Sequence, residues 1–299
     1  MLYVIALGGN ALLQRGQALE AENLYKNALE ATTHIAKLAK NHGIVIVHGN
    51  GPQIGLLALQ SAAYTKVKPY PFDILGAESQ GMIGYVLQQG LKNALPERNT
   101  VTLLTQVLVD QDDKAFQYPS KPIGPTYSAE ESQQLQLEHP EWCFKPDGKY
   151  FRRVVPSPKP QAIEELTLIQ TLLGKHTIVI AAGGGGIPCI KKNNQLVGVE
   201  AVIDKDMTAS LLAQTLQADG FIILTDVDGV YDDWDTNHQK LIPKISVDEL
   251  NQREFAAGSM QPKITAACSF TTNTKRPAMI GNLSKLDEII AGASGTMIQ

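Results

Sequence analysis

Glycine turns follow three short apolar runs of the 299-residue chain. Gly8 and Gly9 follow LYVIAL, Gly49 and Gly51 follow IVIV, and residues 183–186, all glycine, follow TIVIAA. A glycine lets the backbone approach an anion closely, and the free N–H groups at a helix start favour negative charge. Two turns of this type at neighbouring strand ends indicate an anion site more strongly than one turn does. For each turn taken alone, a plain strand-to-helix connection or a loop remains the alternative.

Two asparagines and one histidine lie in these turns. Asn50 carries an amide that could donate to an oxyanion, and Asn10 follows Gly8 and Gly9 in the first turn. His48 could titrate, but a lone histidine at a strand end is more often structural. The turns therefore indicate anion binding without a general base.

Charged residues open two further helical stretches. Asp204-Lys205-Asp206 precedes MTASLLA, and the triplet could fix an ammonium in place or hold Mg²⁺ through its carboxylates. The alternative is that Asp206 serves only as a helix N-cap. Lys263 ends the motif GSMQPK at the start of another helix. A cation there opposes the helix dipole, so this position favours a bound anion.

An acidic turn follows the buried run FIILT. The segment ILTDVDGVY places Thr225, Asp226, Val227 and Tyr231 after this predicted strand. Its spacing does not match an EF-hand loop. Adenine or ribose contacts through these residues are one interpretation, and a surface turn is the other.

Composition excludes several classes of protein. Lys and Arg number 26 against 30 Asp and Glu, a net charge of −4, so a general nucleic-acid binder is not expected. No apolar run reaches the roughly 18 residues of a membrane helix, and the N-terminus lacks a basic region before its apolar stretch. The three cysteines form no CxxC motif and indicate reduced thiols, so we expect a cytoplasmic protein. P-loop, GxGxxG, GxSxG and HExxH motifs are absent from the sequence.

The elements that must position these residues alternate along the chain. Short continuous apolar runs separated by helical stretches predict a parallel sheet covered on both faces, with all carboxyl ends at one edge. Residues 110–158 break the pattern and contain seven aromatic residues, so we predict an inserted, packed excursion and call it the lid segment. Residues 188–198 predict a hairpin that turns at Asn193-Asn194. The predicted strands lie at 2–7, 44–47, 102–105, 177–181, 221–225 and 277–280.

Taken together, these segments resemble the carbamate kinases of the amino acid kinase superfamily, over essentially the whole chain. The motifs most particular to that family are HGNGPQ, SKPIGP, RRVVPSP and DKD. Other matching stretches are ALGGNALL, ESQGMIGY, AAGGGGIP, ILTDVDGVY, GSMQPK and the ending IGNLSKLDEIIAGASGTMI. YDDWDTNHQ, at 231–239, departs from the family's usual YxNFGKPxQ.

The resemblance implies an α/β fold: a three-layer αβα sandwich with a mainly parallel, about eight-stranded sheet and a protruding lid. It implies one domain, with an N-terminal lobe at about 1–200 for carbamate or carbamoyl phosphate. The C-terminal lobe, at about 201–299, would hold ATP or ADP. It further implies Mg²⁺ with the nucleotide and a homodimer.

The resemblance also implies a role for each matching residue. The catalytic residues would be Lys121, Lys205, Asp206 and Lys263, and Asp204 could help hold magnesium. Carbamate and phosphate would be bound by Gly8, Gly9, Asn10, Gly49, Asn50 and Gly51. The nucleotide would be bound by Gly184, Gly185, Thr225, Asp226, Val227, Tyr231, Met260 and Lys263.

The implied reaction is ATP + carbamate ⇌ ADP + carbamoyl phosphate, running toward ATP in allantoin, purine or arginine breakdown. Carbamate is already an anion, so its attack needs no general base, which agrees with the residue inventory. Two alternatives remain at this point. One is another kinase of the superfamily, acting on acetylglutamate, aspartate or UMP, and the other is a non-catalytic nucleotide or acyl-phosphate sensor.

Overall fold

Strands and helices alternate through most of the chain, as the apolar runs predict. The computed structural model describes residues 1–14, 16–253, 255 and 260–299, and only the backbone of Asn10. Gly258 and Ser259, which open the GSMQPK motif, therefore lie outside the described residues. The helices are α1 (Gly9–Leu12), α2 (Ala21–Ala39), α3 (Gly51–Ala63), α4 (Phe72–Ala94), α5 (Ala129–Glu138), α6 (Leu166–Leu173), α7 (Lys205–Thr215), α8 (Val247–Leu250), α9 (Met260–Thr274) and α10 (Leu286–Ile290). The strands are β1 (Leu2–Leu7), β2 (Gly43–His48), β3 (Thr100–Thr102), β4 (Gln106–Val109), β5 (Lys121–Tyr127), β6 (Cys143–Asp147), β7 (Tyr150–Val155), β8 (Pro160–Ile163), β9 (Ile178–Ile180), β10 (Ile187–Lys192), β11 (Gln195–Gly198), β12 (Gly220–Thr225), β13 (Tyr231–Asp232), β14 (Lys240–Leu241), β15 (Lys244–Ile245), β16 (Ala278–Asn282) and β17 (Thr296–Ile298).

The main sheet has eight strands in the order β15-β17-β16-β12-β1-β2-β9-β3. The pairs from β16 through β12, β1, β2 and β9 to β3 are parallel, and β17 runs antiparallel to β16. The carboxyl ends of β12, β1, β2 and β9 therefore lie side by side. These are the ends that carry the acidic turn and the three glycine turns.

Two apolar layers cover the two faces of this sheet. Along β1, Tyr3, Ile5 and Leu7 pack with α2, α4 and α10, whereas Val4 and Ala6 pack with α6, α7 and α9. This alternation is what a strand buried on both sides requires. The predicted three-layer αβα sandwich is confirmed.

The lid segment builds a separate sheet. Strands β5, β7 and β6 form an antiparallel sheet in that order, and α5 lies between β5 and β6 in the chain. A further sheet, β11-β10-β4-β8, flanks the segment, since β4 ends before it and β8 begins after it. The hairpin predicted at 188–198 is confirmed: β10 and β11 are antiparallel, and Asn193 and Asn194 adopt left-handed φ values of 51° and 61° at its turn.

The lid sheet rests on α3 at a crossing of two glycines. A Cβ on Gly55 of α3 would collide with the backbone of Gly124 of β5, which itself has φ +69°. Ile54, Ile123 and Val155 share one apolar cluster beside this crossing. Close backbone contact and apolar burial therefore join the lid segment to the helix that follows β2.

Two predictions of local structure are wrong. The run TLLT at 102–105 is not one strand, because β3 ends at Thr102 in the main sheet and β4 begins at Gln106 in the next sheet. The sequence after Gly8-Gly9 also predicts one long helical stretch to about Asn41, but the structure interrupts it between α1, which ends at Leu12, and α2, which begins at Ala21.

Among the described residues, no helix combines the length and the apolar character needed to cross a membrane.

Candidate active site

The glycine turns after β1 and β2 touch each other at the carboxyl edge of the sheet. Gly8 donates its N–H to the Leu224 carbonyl of β12 at 3.0 Å, and Gly49 donates its N–H to the Leu7 carbonyl at 2.9 Å. A Cβ on Gly49 would lie 3.1 Å from the Gly9 nitrogen and 3.3 Å from Lys205 Cδ. The predicted juxtaposition of the two turns is therefore present, and a lysine stem packs against it.

A cavity of about 890 Å³ opens beside these turns. That volume lies within the range of small-molecule sites. Most residues predicted for the site line it: Gly8, Gly9, Lys121, Asp204, Lys205, Asp206, Thr225, Asp226, Val227, Tyr231, Met260 and Lys263. No histidine or cysteine is among the described lining residues. The cavity thus offers cations and carboxylates, without the pairs used for nucleophilic catalysis.

Lys205, Asp206 and Lys263 form a buried cationic cluster. One oxygen of Asp206 accepts from the Lys205 ammonium, and the other accepts from Lys263 at 2.9 Å. The Asp206 side chain is only 4% exposed and Lys205 and Lys263 are 10% and 15% exposed. Two ammonium groups share one carboxylate, so the cluster keeps an excess positive charge where little water screens it.

Burial and mutual attraction set the protonation of this cluster. Burial would raise the pKa of the Asp206 carboxyl, but the two lysines outweigh it and hold that pKa well below its usual range. Burial lowers the pKa of Lys205 to about 8, although Asp206 opposes the shift. Burial also acts on Lys263, but there Asp206 outweighs it and the pKa is raised. At neutral pH all three groups are therefore predominantly charged.

Asp204 is the N-cap of α7, and its side chain also contacts the lid segment. Its Oδ1 accepts from the backbone N–H groups of Asp206, at 2.9 Å, and Met207, at 3.3 Å, and its Oδ2 accepts from the Lys121 ammonium. The alternative reading of Asp206 as the N-cap is wrong, because the helix starts at Lys205 and Asp204 caps it. Burial raises the pKa of Asp204, yet the nearby Lys121 outweighs it and the net shift is downward.

Asn50 lies behind the cavity lining, in a second layer. Its amide Nδ2 donates to Ser79 Oγ of α4 at 2.8 Å, and its side chain is buried. A Cβ on Gly184, which has φ +67°, would collide with this amide, and one on Gly185 would collide with Ile203. Gly49, Asn50, Gly51, Gly184 and Gly185 are not among the lining residues. The structure therefore packs Gly184 against the Asn50 amide and Gly185 against Ile203, and neither glycine lines the cavity with the residues predicted to hold the nucleoside.

His48 is fully buried beside the same turn. Its Nδ1 lies 3.0 Å from the Gly49 carbonyl, which that nitrogen contacts as a donor in the Nδ1–H tautomer. Burial lowers the pKa of His48 to about 4, so the ring is neutral at pH 7. This agrees with the structural interpretation of His48.

An aromatic and apolar set lines the same cavity. The described members are Val227, Tyr231, Trp234, Phe255 and Met260. At the end of β12, Thr225 Oγ1 donates a hydrogen bond to Asp226 Oδ1, with a distance of 3.0 Å between the two oxygens. Both residues line the same cavity. The cavity therefore combines a cationic cluster with an apolar lining, which is the chemistry of a ligand with an anionic and a ring-bearing part.

The sequence interpretation missed several residues that line the cavity. They are Gly229, Asp232, Asp233, Trp234, Arg253, Phe255 and Pro262. Arg253 and Asp232 form an ion pair. Gly229 and Pro262 lie within the motifs ILTDVDGVY and GSMQPK, and a tryptophan isolated among polar residues was a further signal, whereas Arg253 and Phe255 follow α8 without any motif.

Comparison with known proteins agrees with the fold. A model of the amino acid kinase family matches residues 1–282. The curated carbamate kinase of Haemophilus influenzae is 52% identical, covering 100% of this chain and 96% of that protein. The curated carbamate kinase of Escherichia coli K12 is 50% identical, covering 99% and 98%.

Solved structures agree as well. Carbamate kinase from Giardia lamblia bound to AMP-PNP is 40% identical, has a TM-score of 0.90, and is matched over 99% of this chain and 98% of that chain. The identities extend over whole chains and the main sheet has the arrangement described above, so this chain belongs to the carbamate kinases of the amino acid kinase family.

Proposed function

We propose that this chain catalyses the reversible phosphoryl transfer ATP + carbamate ⇌ ADP + carbamoyl phosphate, with Mg²⁺ accompanying the nucleotide. The buried Lys205–Asp206–Lys263 cluster beside Gly9 is the observation that carries the proposal. It supports the activity named for relatives that are 52% and 50% identical over their whole length.

The two lysines of the cluster neutralise charge on the transferring phosphoryl group. Such transfer depends on positioning and on electrostatic stabilisation of the equatorial oxygens, and it asks for little covalent chemistry from the protein. Asp206 fixes both ammonium groups, so they need not reorganise when charge develops. Lys205 and Lys263 come from α7 and α9, and this joins the two helices at the reacting centre.

The glycines act mainly by allowing close approach. The N–H of Gly8 is already bonded to Leu224 and that of Gly49 to Leu7, so neither is a free donor. Their missing side chains let the β1 and β2 turns meet at the cavity. Gly9 and Asn10 follow at the start of α1, and we assign the phosphoryl and carbamoyl groups to this place, with Asn50 and Gly51 acting from the turn behind the cavity lining.

Carbamate supplies its own nucleophile. Its anionic oxygen attacks the phosphorus without losing a proton, so no general base is required. The neutral, buried His48 and a cavity lining without histidine or cysteine among its described residues support this mechanism. Lys121, brought over the site by β5 of the lid segment, is assigned to the carbamoyl group.

Magnesium fits here as an ion that arrives on the nucleotide. Among the described residues, no cluster of three or more His, Cys, Asp or Glu could hold a metal. Both oxygens of Asp204 are engaged, by the helix N-terminus and by Lys121, so its role as a magnesium ligand is not supported. Mg²⁺ would supply additional charge neutralisation for the nucleotide phosphates. The described lining carries five carboxylates and four cationic side chains. A polyphosphate would add further negative charge, and this favours a divalent cation that accompanies it.

The proposed direction is ATP synthesis. Carbamoyl phosphate is an acyl phosphate, and the carbamate that it releases decomposes to ammonia and carbon dioxide. Synthesis of carbamoyl phosphate from ATP therefore loses its carbamate substrate. This direction suits nitrogen catabolism, of allantoin and purines or of arginine. Comparing initial rates with carbamoyl phosphate plus ADP and with carbamate plus ATP tests the direction.

A homodimer is the proposed assembly. Helices α2 and α4 pack side by side on one face of the sheet. Their outer sides expose Tyr25 and Leu29 on α2, and Ile74, Met82 and Tyr85 on α4, each at least 37% exposed. Such a surface is typical of an interface. Sedimentation equilibrium should give twice the 32.4 kDa chain mass, and Tyr85→Lys should lower it.

We propose a cytoplasmic location because the cysteine thiols are unpaired. Cys143, Cys189 and Cys268 are unpaired in the structure, as in proteins of a reducing compartment. Fractionation of the source cells tests this location.

The deciding experiment for the activity mixes the protein with Mg²⁺, ADP and carbamoyl phosphate and measures ATP. Acetylglutamyl phosphate and aspartyl phosphate serve as competing donors. ATP from carbamoyl phosphate alone supports the proposal. ATP only from another acyl phosphate would favour a different kinase of the family, and nucleotide binding without any ATP would favour a sensor.

A further inference from the structure

Arg153 is a cation of the lid segment that lies between two aromatic rings. Its Cζ atom is 3.8 Å from the centroid of the Trp142 ring and 5.0 Å from the centroid of the Phe72 ring. Both distances are within the roughly 6 Å over which a ring face attracts a cation. Trp142 belongs to the lid segment, whereas Phe72 is the first residue of α4, so the guanidinium bridges the lid and the αβα sandwich.

Both rings are themselves held in place. His139 stacks on Trp142, with ring centroids 4.0 Å apart and planes inclined by 10°, and Trp142 is only 6% exposed. Phe72 is 3% exposed, and its backbone N–H donates to Glu200 Oε2 at 2.9 Å. The guanidinium of Arg153 therefore contacts one packed ring on each side of the joint.

The Arg153 guanidinium is charged although it is partly buried. Burial lowers the pKa of Arg153 to about 10, and the opposite charge of Glu200 only partly offsets this shift, so the side chain is a cation at neutral pH. Among the described residues, its buried Nε atom has no hydrogen-bond partner. A desolvated charge without that bond depends on the ring faces for stabilisation.

Strand register places Arg153 on the same face of the lid sheet as Lys121. In the antiparallel pair of β5 and β7, Lys121 lies opposite Val155 and Ile123 lies opposite Arg153. Directly opposite residues, and residues two apart along a strand, point to the same side of a sheet. Ile123 and Val155 pack in one apolar cluster with Phe72, so this side rests on the sandwich.

The stretch of chain before α7 receives both of these lid strands. Val202 donates its N–H to the carbonyl of Pro156, just after β7, at 2.9 Å. Two residues further on, Asp204 accepts from Lys121 of β5. Because β5 and β7 are paired, a shift of β7 at Arg153 also moves Lys121 relative to the cavity.

We propose that Arg153 is a positioning residue for the reaction, which bridges Trp142 and Phe72 and so holds the lid sheet where the Lys121 ammonium reaches the carbamoyl group. The inference rests on the proposed function, because it uses the assignment of Lys121 to that group. Arg153 is not among the described lining residues of the cavity, so it acts through the lid sheet and not on the substrate. A planar guanidinium stacks between two rings, as an ammonium does not.

Arg153→Met tests this role, since it keeps an apolar stem and removes the charge. The KM for carbamoyl phosphate should rise about five- to ten-fold, the size expected from one cation–π contact, and the KM for ADP should stay native. Arg153→Lys should recover part of this loss, because it returns a cation to the ring faces. Lys149→Met is the matched control: it removes a lid cation that lies 5.1 Å from the centroid of the Tyr150 ring, within the lid segment itself, and should change neither KM.

A double-mutant cycle with Lys121→Ala separates positioning from a general loss of structure. If Arg153 acts through Lys121, Arg153→Met should raise the KM for carbamoyl phosphate in the wild type and hardly change it in Lys121→Ala. A native KM for carbamoyl phosphate in Arg153→Met, or an equal factor in both backgrounds, would overturn the inference.

Amide hydrogen exchange supplies a readout that does not depend on turnover. Arg153→Met should accelerate exchange in β5 and at the Val202 N–H, whereas Lys149→Met should not. The amides of β16 in the main sheet should keep their native rates in both variants, which shows that the fold is intact. Unchanged exchange in β5 and at Val202 in Arg153→Met would also overturn the inference.

These outcomes separate the inference from the proposed function. If exchange accelerates as expected but the wild-type protein makes no ATP from carbamoyl phosphate, Arg153 holds the lid sheet and the catalytic proposal fails. If ATP is made and Arg153→Met retains the native KM for carbamoyl phosphate, the catalytic proposal stands and the positioning role of Arg153 fails.

Discussion

Lys121, on the first strand of the lid sheet, forms an ion pair with Asp204, the N-cap of α7. This contact joins the inserted segment to the start of the helix that carries Lys205 and Asp206. The Asp204 carboxylate serves two partners at once, since one oxygen caps the helix and the other accepts from the lysine. Lid position and the start of α7 are therefore coupled through one side chain.

Three substitutions separate the two tasks of this pair. Lys121→Ala should raise the KM for carbamoyl phosphate more than the KM for ADP, because Lys121 reaches the site from the lid segment. Asp204→Asn keeps a good N-cap and removes the charge, so it should affect the same KM with little loss of stability. Asp204→Ala removes the cap as well and should lower the free energy of unfolding by about 1 kcal/mol.

Steady-state kinetics and urea unfolding measure these effects. Equal increases of both KM values in Lys121→Ala would argue against its place over the carbamoyl group. Asparagine and alanine variants of equal stability would show that the cap contributes nothing.

Lys205→Ala should lower kcat by roughly 10²- to 10³-fold, the usual loss when one preorganised charge is removed at a transition state. The fold should survive, because Lys263 still neutralises Asp206. Lys205→Met is the matched variant, since it keeps an apolar stem against Gly49 while losing the charge. Turnover near the native value in either variant, measured at saturating substrates, would remove Lys205 from the reacting centre.

Asp206→Ala should damage the fold as well as the activity. It leaves the ammonium groups of Lys205 and Lys263 buried side by side without the carboxylate that both of them contact. Removing one partner of a buried pair typically costs about 3–5 kcal/mol. Thermal unfolding should therefore rank Asp206→Ala well below Lys205→Ala in stability. The reverse ranking would mean that Asp206 does not hold the cluster together.

The sequence predicts the centre of the fold better than its periphery. Runs such as LYVIAL and FIILT are apolar on both faces, so their place in the middle of a covered parallel sheet follows from composition alone. The turn at Gly49 meets the one at Gly9 because parallel strands end at one edge. These parts of the site depend on local sequence and sheet geometry, and both are readable from the chain.

The break between β3 and β4 was not predictable, because a remote side chain makes it possible. Thr105 leaves the main sheet, and its N–H donates to Gln80 Oε1 of α4 at 2.9 Å. The Gln80 amide also donates to the carbonyls of Thr105 and Gly183. A buried glutamine thus replaces the ladder bonds that the chain gives up there.

The N-cap of α7 is Asp204, whereas the sequence interpretation offered Asp206 for this role. Both are aspartates before a helical run, and the helix starts one residue after the first. Packing of Lys205 against Gly49 and the pairing of Asp204 with Lys121 accompany this start. Both contacts involve residues distant in the chain, so local propensity could not decide the register.

Alkaline pH should inactivate the free enzyme through Lys205. Its folded pKa is lowered to about 8 by burial, and the charged form is the one that stabilises phosphate oxygens. Protonated Lys205 therefore predominates below pH 8 and is lost above it, so kcat/KM should be constant near neutrality and fall as pH rises through about 8.

Lys205→Arg is the control for this profile. Arginine keeps its charge at these pH values, so the descending limb should vanish from whatever activity the variant retains. A limb at the same pH in wild type and Lys205→Arg would assign the titration to another group.

Gly184→Ala tests whether the glycine run serves the nucleotide or the Asn50 turn. Gly184 has φ +67° and no room for a Cβ beside the Asn50 amide, so a methyl group there should displace the bond from Asn50 to Ser79. We therefore expect a higher KM for carbamoyl phosphate and a native KM for ADP.

Gly292→Ala is the matched control, since φ is +73° and no atom lies within 4 Å of the added Cβ. It should show only the backbone strain of about 1 kcal/mol. A selective increase in the KM for ADP in Gly184→Ala would instead support a direct nucleotide role for Gly184.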